Sequence, residues 1–368
     1  MTITPRDASE PDPILARREA LDIVLEAVAD SPWREHLMLR GSILLRGWLG
    51  LDAREPGDVD FVVLPQGWAF HSERTETMLR DIAERVATAA ERSESIRIQA
   101  SEVDYSEIWT YDRVPGRRLN LRWTALDARI RSGNAQADFV FNEPLPQPPQ
   151  WTEIPRLGAP GAPVRLLAAS PELSLAWKVR WLTEDRYPEG KDLYDAVLLA
   201  ERFGPDAQLL RTVSPETWFH ELPELTAAVD WDELIWSRPE LTGQLDAFAW
   251  RLILALAPVF PDQLADFRTR LGRTLDWTVK EARRRTEKDR DEILLEDGLE
   301  RWAELTTVQR LLAVQAEYGC DLAVAAERIA VARQRNQQIP GIEHRVDPYL
   351  VADTVERWSD SSAGNAGG

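Results

Sequence analysis

The sequence predicts an α+β fold, with an N-terminal mixed sheet and its helices followed by a mainly α-helical C-terminal half. Short apolar runs of strand length alternate with helical periodicity up to about residue 145. A proline-rich segment from Pro144 to Pro163 then interrupts the pattern. Beyond Pro171 almost every periodic segment has helical spacing. Together, these three observations indicate a sheet domain joined to a helical assembly.

The individual elements follow from the same periodicities. In the first part we expect helices at about 12–29, 42–49 and 72–92, and a turn at 127–134 in which Gly133 and Asn134 are the turn residues. Further helices are predicted from 172 onward, including 191–203, 243–256 and 322–337. The predicted strands are His36 to Arg40, Val59 to Leu64, Ile96 to Ala100, Glu107 to Tyr111, Leu119 to Leu126, Ala135 to Phe141 and Val164 to Ala168.

The domain organisation is predicted from composition. Residues 1–11 and 351–368 are polar or rich in Gly, Ala and Ser, so we expect a disordered start and a mostly flexible tail. Between them we expect a sheet domain at 12–145. A linker and helical lobe at 146–205 should follow it and complete the active site. A helical extension is predicted at 206–350.

Composition excludes several classes of protein. The single cysteine, Cys320, cannot form an internal disulfide, and with only four histidines a structural zinc site is not expected. No stretch approaches the roughly 20 apolar residues of a membrane span, so we expect a cytoplasmic protein with no membrane partner. The net charge of -18 argues against a surface that coats nucleic acid indiscriminately.

One segment of the acidic chain is basic. Nine Lys or Arg and four acids lie between Arg268 and Arg290. Arg283, Arg284 and Arg285 are the candidate RNA contacts in this segment. A solvated helix face with ion pairs at i,i+4 spacing explains the same residues, and this alternative stays open.

The most informative stretch contains two acids on one apolar strand. Because side chains alternate along a strand, Asp58 and Asp60 share a face while Val59 and Phe61 point to the other. Two adjacent carboxylates repel each other unless a cation lies between them. The oxygen-only ligands favour Mg²⁺, as one or two ions.

A glycine and a serine precede this strand at a junction between strand and helix. Unpaired backbone N–H groups at a helix N-terminus favour a phosphate. Gly41 allows close approach of the backbone, and Ser42 can donate its hydroxyl and cap the helix. Taken alone, such a pair is more often explained by an ordinary capping serine than by a phosphate site.

A third acid is predicted at Asp138. It is a lone charge in the apolar strand Ala137 to Phe141, where a charge is costly unless it is paired. We expect it to join Asp58 and Asp60. The alternative is an edge strand with Asp138 facing water.

In this order, these residues resemble the polymerase-beta-type nucleotidyltransferase superfamily, and in detail the AbiEii-like toxins. The resemblance rests on the Gly41-Ser42 turn, a Leu-rich helix, Arg54, and Asp58-x-Asp60 followed by Asp138. A second part, Pro171 to Arg180 and then Lys191 to Asp195, resembles the family's helical lysine and its following acidic helix.

The resemblance implies roles for these residues. Asp58, Asp60 and Asp138 would be catalytic and would bind the metal, with Asp138 also acting on the acceptor hydroxyl. Gly41, Ser42, Arg54 and Lys178 would bind the nucleoside triphosphate, and Lys178 would also be catalytic because it neutralises developing charge. Asp192 or Asp195 would hold Lys178 or a neighbouring arginine in place. Lys191 stands where the family usually has an arginine, which affects the expected position of Asp192.

The resemblance also implies a function. It is transfer of a nucleoside monophosphate from an NTP to an acceptor hydroxyl, by a toxin of a toxin-antitoxin or phage-defence system. In some relatives the acceptor is the end of tRNA, and a cognate antitoxin is the implied partner. Two alternatives stay open at this point: nucleotidylation of a small molecule or a protein, and a non-catalytic regulator or antitoxin that keeps the fold for binding.

Overall fold

The computed structural model describes residues 13–110, 114–158, 161–214, 229–263 and 318–336, with isolated residues between and after these ranges. The chain divides into two compact units, Met1–Ser174 and Leu175–Gly368. Among the described residues, the strands belong to the first unit and the second is helical. The predicted α+β class is confirmed.

The first unit is built on a seven-stranded mixed sheet. Its strands are β1 (Leu37–Arg40), β2 (Val59–Val63), β3 (Ile96–Thr110), β4 (Val114–Ala125), β5 (Gly133–Val140), β6 (Gln150–Ile154) and β7 (Val164–Ala168). Their order across the sheet is β3-β4-β5-β2-β1-β7-β6. The pairs β2–β5 and β1–β7 are parallel, and the other neighbours are antiparallel. This order places β1, β2 and β5 in the interior of the sheet, with β3 and β6 at its edges.

Three helices accompany the sheet in this unit: α1 (Pro13–Ala29), α2 (Ser42–Leu49) and α3 (Glu73–Ala90). α1 and α3 contact each other and several strands, and α1 buries an apolar stripe that includes Leu21, Val24 and Val28. The side chain of Ser72 caps α3 by accepting a hydrogen bond from the Thr75 N–H at 3.2 Å. The three helices match the predicted ones to within two residues at the ends that the structure describes.

The sequence-based assignment of the strands was wrong in three places. β3 is one long strand where two were predicted, because it is an edge strand with a register shift between Ile98 and Val103 and tolerates polar residues. β6 lies inside the segment predicted as a linker, since an edge strand can start and end beside prolines. Gly133 and Asn134 are paired with β4 as part of β5 and are not turn residues.

In the second unit, α5 (Gly190–Phe203) packs against α8 (Leu245–Leu256), and the rings of Tyr194 and Phe248 meet edge to face with centroids 5.5 Å apart. The seven-residue α6 was not predicted because it is too short to show a periodicity; Asp206 caps it by accepting from the Leu209 N–H. The helices from here on are α4 (Pro171–Glu184), which spans the boundary between the units, α5 (Gly190–Phe203), α6 (Ala207–Val213), α7 (Asp232–Ser237), α8 (Leu245–Leu256) and α9 (Leu322–Asn336).

Some predictions concern segments that the structure does not describe. Arg283, Arg284 and Arg285, the predicted disordered start at 1–11 and most of the predicted tail at 351–368 lie outside the described residues. Among the helices that are described, none has both the length and the apolar character required to cross a membrane.

A buried carboxylate on α1 holds the segment between β6 and β7. Asp22 is only 1% exposed and accepts hydrogen bonds from the backbone N–H groups of Leu157 and Gly158, each at 2.9 Å. A Cβ added at Gly158 would lie 2.7 Å from the Glu19 nitrogen, so the backbone there lies directly against α1. Asp22 therefore fixes the approach of the chain to β7, which pairs with β1.

We expect Asp22→Ala to lower the free energy of unfolding by about 3 kcal/mol, because it leaves two buried N–H groups without an acceptor. Asp22→Asn keeps one acceptor oxygen and should cost about half as much. Urea denaturation of the three proteins measures both values. A loss below about 0.5 kcal/mol for Asp22→Ala would show that this anchor does not stabilise the unit.

Candidate active site

Two strands bring the three predicted acids together. Asp58 immediately precedes β2, Asp60 lies within it, and Asp138 on β5 is the direct cross-strand neighbour of Asp60. One carboxylate oxygen from each residue lies within 4.8 Å of the other two. Asp58 and Asp60 are half-buried and Asp138 is only 6% exposed. Asp138 therefore does not face water from an edge strand.

The register of the sheet places four charged side chains in one row. Arg40 on β1 is opposite Asp60, Asp60 is opposite Asp138, and Asp138 is opposite Arg118 on β4. Cross-strand neighbours point to the same face of a sheet, so the charges follow the order plus, minus, minus, plus. The apolar pair Phe61 and Phe139 is shifted by one residue, and these stacked rings are fully buried on the other face.

The guanidinium groups at the two ends of this row have different carboxylate contacts. Arg40 donates a hydrogen bond at 3.2 Å to Glu143, and both side chains are buried. Arg118 donates to Asp138 with both arms of its fork, from Nε to Oδ1 and from Nη2 to Oδ2, at 2.7 Å each. These hydrogen bonds are the main reason that the pKa of Arg118 is raised; the charges of Asp138, Asp58 and Asp60 add to the shift, and burial opposes it. Arg118 is therefore a permanent cation beside the three acids.

Sequence reasoning did not find Arg118. Its contact with Asp138 depends on the register between β4 and β5. The predicted turn residues Gly133 and Asn134 could not indicate this register, because they belong to β5. A strand-alternation argument applied to Arg118, Asn120 and Arg122 would have placed all three on one face. It would not have identified the opposite residue.

The turn before α2 fits closely around Asp60. Gly41 has a φ of 83°, which favours glycine, and a Cβ added there would overlap the Asp60 Oδ2 and lie 3.1 Å from its Cγ. Gly41 therefore lets the carboxylate lie against the backbone at the start of the helix. No other residue type fits this position without displacing Asp60.

The prediction that Ser42 caps α2 was wrong. Gly41 is the N-cap residue and no side chain caps the helix, because Ser42 is already its first residue. Ser42 is 1% exposed, and its hydroxyl has no hydrogen-bond partner among the described residues. A buried hydroxyl without a partner beside a helix N-terminus is a candidate ligand for a phosphate oxygen.

The remaining predicted residues lie on a loop of the first unit and on helices α4 and α5 of the second. Arg54 is half-buried in the loop between a short 3-10 helix (Gly50–Asp52) and β2. In the second unit, Lys178 on α4 donates to Asp192 on α5 at 2.6 Å, and its Nζ lies 3.0 Å from an Asp195 carboxylate oxygen. All three side chains of this cluster are buried. Both acids predicted to hold Lys178 thus contact it.

The lysine that replaces the usual arginine makes its own ion pairs. Lys191 lies 3.0 Å from carboxylate oxygens of both Glu189 and Glu233. Although burial opposes the charged form, these two carboxylates raise the pKa of Lys191. The exchange of arginine for lysine has therefore not moved Asp192 away from Lys178.

A comparison with known families decides the relationship. The model of the family described as nucleotidyl transferase AbiEii toxin of a Type IV toxin-antitoxin system matches residues 23–290, well over half of the chain. The chain belongs to the AbiEii family. Its class is accordingly that of a nucleotidyltransferase toxin, and the non-catalytic alternative is not supported.

Solved structures with low sequence identity to this AbiEii chain are also known. JHP933 from Helicobacter pylori aligns with a TM-score of 0.43 and 14% identity, over 72% of this chain and 100% of that one. MenT4, a nucleotidyltransferase toxin from Mycobacterium tuberculosis, aligns with a TM-score of 0.45 and 17% identity, over 67% and 84%. No curated protein matches the chain. The family assignment rests on the match to the family model.

The donor set of the AbiEii site suits a hard divalent cation. The three candidate ligands are carboxylates, and their oxygens are close enough to contact one ion or a pair of ions. Each carboxylate oxygen can accept more than one contact, so the bonds from Arg118 leave Asp138 able to bind a metal. Asp58, Asp60 and Asp138 thus form a candidate metal site.

Gly41→Ala tests the packing of this site, with Gly50→Ala as the matched control. Gly50 also has a positive φ, of 60°, but a Cβ there would have no atom within 4 Å. Both substitutions should cost about 1–3 kcal/mol of stability through backbone strain. Only Gly41→Ala should also displace Asp60 and weaken Mn²⁺ binding, by about tenfold or more. Denaturation curves and Mn²⁺ titration measure the two effects, and equal Mn²⁺ affinity in both variants would contradict the proposed packing.

Proposed function

We propose that this AbiEii toxin transfers a nucleoside monophosphate from an NTP to an acceptor hydroxyl, with pyrophosphate as the leaving group, using Mg²⁺ held by Asp58, Asp60 and Asp138. The convergence of three carboxylates beside the Gly41 turn is the observation that supports the proposal. Such a cluster is unfavourable without a counter-cation, and its oxygen donors match Mg²⁺. When bound, the metal would supply positive charge to the entering and leaving oxygens.

The residues of this chain would bind and orient the reactants. The backbone N–H groups after Gly41 and the buried Ser42 hydroxyl would hold the triphosphate at the N-terminus of α2. Asp138, fixed by Arg118, would orient the acceptor hydroxyl and accept its proton. The protein would contribute mainly positioning and electrostatic stabilisation.

The roles of two further cations come from the family pattern. Lys178 would neutralise charge on the triphosphate, with Asp192 and Asp195 fixing its ammonium group. Arg54 would assist in binding the triphosphate. These assignments depend on the order of the motifs along the chain. A loss of NTP affinity in Lys178→Met would support the proposed role of Lys178.

We propose tRNA as the acceptor, a cognate antitoxin as the partner, and phage defence as the biological setting. The family's place in toxin-antitoxin systems supports the antitoxin. Arg283, Arg284 and Arg285, the proposed RNA contact, supply positive charge that the chain as a whole lacks. Transfer to a small molecule or a protein is the competing acceptor class, for which an acidic surface is no disadvantage.

Label transfer tests the reaction and the acceptor together. The protein is incubated with each of the four labelled NTPs and Mg²⁺, in the presence of total RNA, small metabolites or cell protein. We expect label in the tRNA fraction, and a roughly thousandfold lower rate for Asp60→Asn, since the metal loses a ligand. Asp127→Asn is the control, because Asp127 pairs with Arg129 in a loop outside the site.

The outcomes separate the parts of the proposal. Equal rates for wild type and Asp60→Asn would contradict the assignment of the site. Label in metabolites or protein alone would keep the nucleotidyltransferase and replace the acceptor. Activity that is insensitive to removal of divalent metal by a chelator would contradict the proposed cofactor.

A further inference from the structure

Besides fixing Asp138 for the proposed reaction, Arg118 lies where its charge affects how the site binds metal. Its planar fork is matched to the Asp138 carboxylate, with two hydrogen bonds of 2.7 Å and with Asp138 almost fully buried. The Arg118 side chain is 30% exposed and lies one strand further from Asp60 than Asp138 does. A guanidinium is therefore already bound to one of the three carboxylates that are proposed to bind metal.

The charges around the three acids show why this contact matters. Three carboxylates within 4.8 Å of one another repel, and one guanidinium offsets one of the three negative charges. The other arginine in the row, Arg40, is paired with the buried Glu143. Arg118 thus forms a bidentate ion pair with a residue that is itself a proposed metal ligand.

Two effects on metal binding follow, and they have opposite signs. The bidentate contact holds Asp138 in a fixed orientation before any metal arrives, which favours binding. The positive charge repels a divalent cation a few ångströms away, which opposes binding. In a partly buried site the repulsion is screened less than at the surface, so we expect it to be the larger effect.

We propose that Arg118 is a positioning residue that fixes Asp138 and at the same time weakens the site's affinity for free metal. The site then takes up its metal together with the NTP, because the triphosphate's negative charge offsets the guanidinium. This inference rests on the proposed metal site and adds to it an order of binding. It concerns Arg118, which the resemblance to the family did not include.

Mn²⁺ titration of the full chain without nucleotide tests the proposal. Arg118→Met should bind Mn²⁺ about tenfold more tightly than wild type, because the repulsion is gone. Arg118→Gln is a second neutral variant, so the result does not depend on the folding of one protein. Arg118→Lys keeps the charge but not the fork, and its affinity should stay within about threefold of wild type.

Arg122→Met is the matched control. Arg122 lies four residues further along β4 on the same face, is exposed, and has no ion pair among the described residues. It changes the net charge by the same amount as Arg118→Met but does not contact Asp138. Its Mn²⁺ affinity should equal that of wild type.

Thermal denaturation gives a second readout that does not depend on activity. Without metal, Arg118→Met should melt at a lower temperature than wild type, since the three acids lose their counter-cation. Saturating Mn²⁺ should raise its melting temperature more than that of wild type, because the metal binds it more tightly.

Two failures are distinguishable. Unchanged or weaker Mn²⁺ binding in both neutral Arg118 variants would overturn the inference while leaving the metal site intact. If wild type binds Mn²⁺ no better than Asp60→Asn does, then the metal site itself is wrong. An equal gain of affinity in Arg122→Met would also overturn the inference, because it would show a general effect of charge.

Discussion

The repulsion between three carboxylates governs how the first unit is built around its site. Asp58, Asp60 and Asp138 offer oxygens within 4.8 Å of one another, and such a cluster is stable only if cations balance it. The structure supplies one of these cations itself, in the form of Arg118. The remaining negative charge is what makes the site a candidate for a divalent metal. Family membership as an AbiEii nucleotidyltransferase toxin is consistent with that use of the charge.

The backbone makes this crowding feasible. Parallel pairing of β2 with β5 puts Asp60 directly beside Asp138. Antiparallel pairing of β4 with β5 puts Arg118 beside Asp138 on its other side. Gly41 lets the start of α2 approach Asp60 more closely than any side chain would allow. The apolar face of the same strands, with Phe61 stacked on Phe139, buries the residues that alternate with the acids. A rigid sheet thus holds the polar groups at fixed separations.

Sequence reasoning located the acids because their signals are local. An Asp-x-Asp on an apolar run and a lone Asp in another such run can be recognised without knowing which strands pair. Arg118 could not be recognised in this way, since its partner is 20 residues away and is set by a hairpin register that the turn residues did not reveal. The edge strands β3 and β6 were misjudged for a related reason: pairing on one side stabilises sequences too polar or too rich in proline to look like strands. Ser42 was correctly placed at the start of α2, but it was predicted to cap the helix, whereas Gly41 is the N-cap residue and Ser42 follows it.

The central claim is that the three carboxylates together bind metal at one site. Anomalous diffraction from crystals of the full chain soaked in Mn²⁺ measures this directly. The account predicts an anomalous peak about 2.2 Å from carboxylate oxygens of Asp58 and Asp60, with Asp138 turned toward it. An absence of bound Mn²⁺ at these residues at saturating concentration, or Asp138 turned away from Asp58 and Asp60, would contradict it.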